Sequence, residues 1–505
     1  MRQAYLIHQG LDEFVAAREQ FGQLIEALQS DHNLKREHGD IEELIWQDGK
    51  ELLRRMLQGH LDLRSAREPK RAHVIGGDSV IRTHRRAGCT RTLMSLFGEV
   101  SVKRMGYGAR GKESIFPLDA QLNLPRDKYS HGLRQRVGEE VTKDSFDEAV
   151  ASVKRTTGGK VAERQSEEIA VELSQDFEAF YDSGRSNEPE ATSDPLILSE
   201  DGKGIVMRTE DLREATRKAA LKAKHKLKTR LSQGEKKNRK RMAMVATVYS
   251  IARHFRRPEA IMGLEEDPQA CPASRPRARN KRVWASVERD PGKVTEELFE
   301  EAHRRDPEQK RPWVMLVDGH KDQLKHIWAN IKHFGVEVIL ILDFIHVLEY
   351  LWKAAYCFHP PGSEQAEAWV AERALQILKG KASIVAGGIR RSATLRGLSA
   401  KEREAVDECA GYLLNYKDML KYDEYLAAGL PIATGVIEGT CRHLVNDRMA
   451  ITGARWRLQR AEAILKLRSL KSSGDSEAYW DFYKDQTSKR NHVSQYDSFP
   501  LQEAA

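Results

Sequence analysis

Between Leu196 and Asp343 the chain alternates short apolar runs with charged, helix-patterned segments, in an order that leaves few ways to fold. The runs are LILSEDGKGIV (196–206), MAMVATVYSI (242–251), RVWASVE (282–288), WVMLV (313–317) and VEVILIL (336–342). Brief apolar runs bounded by turn residues read as strands, and longer segments with apolar residues three and four apart read as helices. A basic segment follows the first run, and a connection rich in Pro and Arg, PEAIMGLEEDPQACPASRPRARNKR, follows the second. VTEELFEEAHRR and QLKHIWANI then supply helices on either side of WVMLV. Three strands, a helix, a strand, a helix and a strand require a sheet with helices packed on it.

That order matches an RNase H-like α/β domain, in which the first and fourth strands pair. Asp201 then lies on the first strand and Asp318 just beyond the fourth. After Asp343 the alternation stops. Residues 344–430 read as an all-helical insertion, with Leu348, Leu351, Trp352 and Ala355, and later Tyr412, Leu413 and Tyr416, at helical spacing. A helix resumes near Thr434 and carries Glu438, Arg442 and Val445 on neighbouring faces, so the catalytic domain reads as 196–343 with 431–470, followed by a tail, 471–505. Alone, each of Asp201, Asp318 and Glu438 reads as a turn or surface carboxylate. Together they suit a metal-dependent enzyme acting on phosphodiesters, because Mg²⁺ is a hard cation that takes oxygen ligands from distant parts of a fold.

The residues before this domain read as smaller modules, making the whole a multidomain α+β protein. Residues 1–75 are helical, with Ile41, Leu44, Ile45, Leu52, Leu53, Met56 and Leu57 on one face, and suit an interaction or dimerisation arm. Residues 76–128 form a small β-rich module in which RTLMSLFGEVSVKRMGYG predicts a hairpin turning at Phe97-Gly98-Glu99. Its Arg91, Lys103 and Arg104 are either phosphate contacts or exposed strand charges. Residues 129–182 suggest a helix-turn-helix: Ser145 to Glu148 is a capping box, Thr156-Thr157-Gly158-Gly159 ends that helix, and a second helix begins near Lys160. Lys160, Arg164 and Gln165 would face a major groove from its start. SGRSNEPEATSDP, residues 183–195, is the linker.

The formal net charge of +8 favours a polyanionic partner. Basic residues concentrate between Arg208 and Arg241, where Lys236, Lys237 and Arg239 stand close to the first carboxylate. Five dispersed cysteines, with no CxxC pair, indicate neither a zinc ribbon nor a disulfide framework. The absence of a long apolar segment predicts a soluble, cytoplasmic protein with no membrane partner. No GxxxxGK[ST] or GxSxG motif is present, which argues against ATP-driven and serine-hydrolase chemistry.

The segments LSEDGKGIVMR, VMLVDGHKDQ, LILDFIHVLEYLW and ATGVIEGTCRHLVNDRM, with the weaker FGEVSVKR and FPLDAQLNLP, resemble the bacterial insertion-sequence transposases with a DDE core, most closely the Kra-type group. The resemblance covers nearly the whole chain, and the helical insertion resembles that of Mutator and hAT-related transposases. It implies Asp201, Asp318 and Glu438 as ligands of two Mg²⁺ (or Mn²⁺) ions, with Asp201 between them. It also implies double-stranded DNA as partner, through terminal inverted repeats and a target, and a homo-oligomer of at least two chains. Asp343 and His346 match an acidic-x-x-His motif of such enzymes. From the residues alone they read equally as a helix cap with its polar pair, and Asp343 is the rival second ligand. Lys203, Arg442 and His443 would neutralise phosphate charge, and Trp456 would stack on a base or pack in the core. Other readings are a non-catalytic DNA-binding protein and a nuclease without strand transfer.

Overall fold

After two helices, Val15–Gln29 and His38–Ala66, apolar alternation in the N-terminal half gives paired strands. A computed structural model describes residues 12–184, 190–222, 227, 239–264, 276–451 and 453–497. β1 (Val74–Ile75) and β2 (Ile81–Arg82) form a short antiparallel pair, and β3 (His84–Ser95) and β4 (Gly98–Gly108) a long hairpin. Gly98 turns it with φ +120°, a conformation that costs other residues strain. Leu93, Val100 and Val102 are buried with Leu61 of the long helix His38–Ala66. Burial of one hairpin face is what fixes this register.

Helices His131–Val141, Phe146–Thr156 and Glu163–Leu173 pack on one another in the same unit. Ser145 Oγ accepts the Glu148 N–H at 3.4 Å, as a cap should, but the Ser145 N–H donates to Asp144 Oδ1 rather than to Glu148. The third helix starts at Glu163, not near Lys160, because Val161 is buried and Ala162 is extended. The Gly158 N–H donates to Leu96 O at 2.7 Å, and a Cβ there would lie 2.3 Å from Phe97 O. Glycine is therefore required for the turn between the helices to seat on the hairpin tip. The expected tail is also corrected. Helix Ser476–Asn491 packs into this N-terminal unit, where Tyr479 donates to Leu173 O at 2.5 Å and Arg490 pairs with Asp176. Its buried Tyr479 and Tyr483 supply the apolar area that a free tail lacks.

The chain divides into this unit, Met1–Arg185 with Ser476–Ala505, and a second, Ser186–Asp475. The second unit contains β5 (Leu196–Val206), β6 (Lys240–Ser250), β7 (Arg279–Ser286), β8 (Trp313–Val317) and β9 (Val338–Leu342), in sheet order β7-β6-β5-β8-β9. β5 to β6 and β6 to β7 are antiparallel, whereas β5 to β8 and β8 to β9 are parallel. The first and fourth strands of the unit are thus neighbours, and the architecture is mixed α/β. The expected linker ends firmly: Glu190 accepts hydrogen bonds from Ser250, Asn280 and Arg311. Helix Leu458–Ser473 covers the β7 edge, with Glu462 and Ser473 taking backbone groups that an exposed edge would leave open. Between β9 and Gly435 lie helices Phe344–Ala355, Glu364–Leu378, Ala382–Leu395, Glu404–Asn415 and Tyr422–Ala427. Among the described residues, no helix is long and apolar enough to cross a membrane.

Candidate active site

Register brings the first two carboxylates to one level of the sheet. The parallel pairing of β5 with β8 ends at Ser199 with Leu316, and Asp201 and Asp318 each lie two residues further on. Side chains alternate along a strand, so Asp201 and its neighbour Glu200 project to opposite faces. On one face Thr295 Oγ1, from helix Pro291–Arg305, donates to Glu200 at 3.1 Å. On the other, the Cys441 thiol donates to Asp201 Oδ2 at 3.3 Å.

Cys441 belongs to the segment that carries Glu438. Helix Gly435–Thr440 passes into a π-helical turn, Cys441–Asn446, and ends as helix Asp447–Met449. Glu438 and Cys441 are three residues apart and share a face of the first turn. Glu438 is exposed, and its charge acts on the buried Cys441 thiol. Burial, with Asp201 beside it, pushes that thiol well above its ordinary range, so Cys441 stays a neutral donor that orients Asp201. π-Turns inside α-helices are frequent at functional sites.

Asp318 sits in a turn held from the insertion. Its Oδ1 accepts the His320 N–H at 2.8 Å, and Gly319 takes φ +87°. The Tyr412 hydroxyl donates to Asp318 O at 2.8 Å and the Tyr416 hydroxyl to Gly319 O at 2.6 Å. Tyr350 stacks on Tyr412 with ring centroids 4.0 Å apart. A Cβ on Gly319 would meet these tyrosine rings at 3.0 and 3.2 Å, so the close approach requires glycine. Tyr412 and Tyr416 read in the sequence only as apolar helix positions. Their hydroxyls, at the carbonyls of two consecutive turn residues, are what sequence spacing does not reveal.

Glu200 was also missed, because a carboxylate beside another in sequence looks redundant. Burial without a cation partner raises its carboxyl to about 7, against hydrogen bonds from Thr295 and Gln323, and Asp318 adds to the rise. Asp343, the rival ligand, is fully buried. Its Oδ1 accepts the Ile345 N–H at 3.3 Å and the Thr434 N–H at 3.0 Å, and its Oδ2 meets His346 Nδ1 at 2.6 Å. It caps the first insertion helix and ties that helix to the start of the Glu438 segment. Burial alone would raise the Asp343 carboxyl, but the bonds from His346 and Thr434 outweigh it and hold it low. The same bond raises the His346 imidazole to about 9 against the cost of burial.

The remaining expected residues separate by burial. Lys203 shares the Asp201 face of β5 and is half-buried. Arg442 is exposed and makes no ion pair with Glu438 among the described residues, and His443 is exposed and bonded to Asp447 at 3.0 Å. Lys160 and Arg164 are exposed beside half-buried Gln165, and both Arg164 and Gln165 contact Glu168. Of Arg91, Lys103 and Arg104, Lys103 alone stays exposed. Arg91 and Arg104 turn inward onto Asp119, Arg91 also bonding the Pro125 and Asp127 carbonyls and Arg104 lying over Phe116. This corrects the expected phosphate contact: Asp119, only 9% exposed, needs their charge where it is. Trp456 is likewise no base platform. Its indole is buried, donates to Met449 O at 3.0 Å, and its backbone prolongs the sheet beside Met207. Arg239 donates to Thr209. Lys236 and Lys237 lie outside the described residues.

Three carboxylates with no soft, charged ligand among them suit a hard divalent cation, and Asp318 and Glu438 both keep solvent access. Among the described residues, no group of three or more His, Cys, Asp or Glu side chains is gathered closely enough to hold a metal ion. No protein-family model matches the chain. It is similar to a Streptococcus gallolyticus protein described as "UPF0236 protein in vanSb 3'region", with 30% identity over 119 residues. The match spans 23% of this chain and 25% of that protein, about a quarter of its length.

Proposed function

We propose that this chain is a DNA transposase with an RNase H-like core, which cuts and joins the ends of a mobile element. The observation that carries the reading is that Asp201 on β5 and Asp318 just past the parallel β8 stand at one level, and that the helical segment carrying Glu438 returns after an insertion to meet Asp201 through Cys441. Asp201, Asp318 and Glu438 would hold two Mg²⁺ or Mn²⁺ ions. Bound there, the ions would activate water or a DNA 3′-hydroxyl and stabilise the leaving oxygen. The protein's own part is positioning. Cys441 orients Asp201, Tyr412 and Tyr416 hold the Asp318 turn, and Asp343 anchors the chain leading to Glu438. His346 and Lys203 place positive charge nearby.

Arg164, exposed in the first turn of helix Glu163–Leu173, and Lys160, exposed just before it, are suited to reading terminal inverted repeats in a major groove, with Lys103 on the backbone. Handling two ends and a target requires at least two copies of the chain. A cytoplasmic protein reaching DNA directly fits these partners. The test is to incubate purified protein with DNA carrying the element's ends, with and without Mg²⁺ or Mn²⁺, and to score nicked and joined products. Both products are expected, only with metal. Binding without cleavage would leave a DNA-binding protein, and nicks without joints a nuclease. Neutralising Arg164 should weaken end binding and reduce its salt slope by about 1; unchanged binding rejects that helix as the reader.

A further inference from the structure

Beyond Asp201, β5 continues along one wall of a cavity of about 830 Å³, within the range of ligand sites. Its cations are Lys203, Lys240 and Arg455, and no acidic residue lines it among the described residues. Lys240 and Arg455 are exposed and Lys203 is half-buried, and none of the three has a carboxylate partner among the described residues. An added Cβ at Gly204 would lie 2.8 Å from Lys240 Cδ, so glycine lets the Lys240 side chain cross the strand into this space. The segment of the π-turn and the residues after it line the cavity as well, through Asn446, Ala450 and Ile451, with Val445 and Met449 buried behind them. Met242, 49% exposed, faces the same cavity. Apolar walls crossed by unpartnered positive charge fit a ligand that carries both a flat apolar face and phosphate.

We propose that this cavity binds an unpaired terminal nucleotide of DNA. The base lies against Met242 and the half-buried Ile451, and Lys240 and Arg455 take the phosphates of a strand that runs along β5 toward Asp201. A paired base keeps its faces inside the stack, so only an extruded or single-stranded nucleotide can use such walls. The inference rests on the DNA reading above and deepens it from DNA in general to a frayed or overhanging end.

Its test needs no catalysis. The full chain is titrated, without divalent metal, with a fluorescein-labelled duplex that is blunt or carries a short unpaired overhang. A 4-thiothymidine in the overhang then allows the contact to be mapped by crosslinking and peptide analysis. The wild type should prefer the overhang by about tenfold. K240E with R455E should abolish that preference and reduce the salt slope by about 2. M242E, at an exposed position, should abolish the preference while leaving blunt-duplex binding intact. Crosslinks should map to the segments around Met242 and Ile451. Equal affinity for both duplexes in the wild type, an undiminished preference in K240E/R455E, or crosslinks elsewhere would overturn the proposal. Cleavage of element ends alongside any of these leaves the transposase reading standing without the pocket. Overhang binding in the pocket with no cleavage in any metal leaves the pocket without the transposase.

Discussion

Two adjacent strand ends carry the same sequence signature and meet opposite fates. β8 and β9 are each five apolar residues followed at once by aspartate, and they run parallel with Val317 opposite Leu342. Asp318 leaves β8 into a glycine turn, keeps solvent access and bonds its own turn amide. Asp343 leaves β9 straight into a helix and is enclosed, with its oxygens spent on Ile345, Thr434 and His346. The difference lies in the next residue. Gly319 reaches a positive φ and swings the chain away, whereas Phe344 begins a helix whose free N–H groups a preceding aspartate can cap. A strand-end carboxylate becomes available for chemistry only where the backbone leaves its oxygens unclaimed.

Substitutions can break that contrast or sharpen it. The largest expected effect is Asp318→Ala, which should reduce DNA cleavage by about a thousandfold or more while leaving the melting temperature nearly unchanged, as scored by nicked product and thermal unfolding. Preserved cleavage in that variant, with loss in Asp343→Asn, would reverse the assignment of the second ligand. Next is stability: Asp343→Ala should cost about 3 kcal/mol in denaturant unfolding, because it strands two buried N–H groups and the His346 imidazolium. A loss below about 1 kcal/mol would remove its anchoring role.

A pH series is the third and smaller lever. The His346 pKa is raised on folding, to about 9, so its contribution is fully present below the unfolded value near 6.5 and is lost as pH rises through about 9. The stability gap between wild type and His346→Gln should therefore shrink from pH 6 to pH 10. A constant gap would mean that the pair is not charged. Smallest is the tyrosine clasp. Tyr412→Phe should cost about 1 kcal/mol of stability and, combined with Tyr416→Phe, raise the Mg²⁺ concentration needed for half-maximal cleavage without altering DNA binding. An unchanged metal titration would reduce the clasp to a packing contact.

The strand order of the second unit was legible because buried parallel strands need nearly continuous apolar runs, and those runs stand out against a polar background. Asp318 and Asp343 are visible as residues at strand ends for the same reason, whereas Asp201 follows the apolar start of a strand that continues past it to Val206. Glu438 was legible only through its neighbours, since a short helix after an insertion has little periodicity to read. Arg91 and Arg104 turn inward instead of serving as phosphate contacts, and Trp456 takes the core position of its two readings; nothing local announces that Asp119 or the Met449 carbonyl will be waiting for them. The last helix does not stand out from a tail in the sequence, because its two buried tyrosines are too few to make a clear apolar stripe.

By itself, the sequence determined the periodic elements, their order, and which carboxylates stand where strands end, since these depend on apolar spacing and on backbone preferences within a few residues. Only the tertiary structure decided which of those carboxylates stay open and which are consumed. That choice depends on donors more than ninety residues away in the chain: Thr434 for Asp343, Tyr412 for the Asp318 turn and Cys441 for Asp201. A buried oxygen takes whatever donor the fold delivers to it, and spacing along the chain carries no record of that delivery.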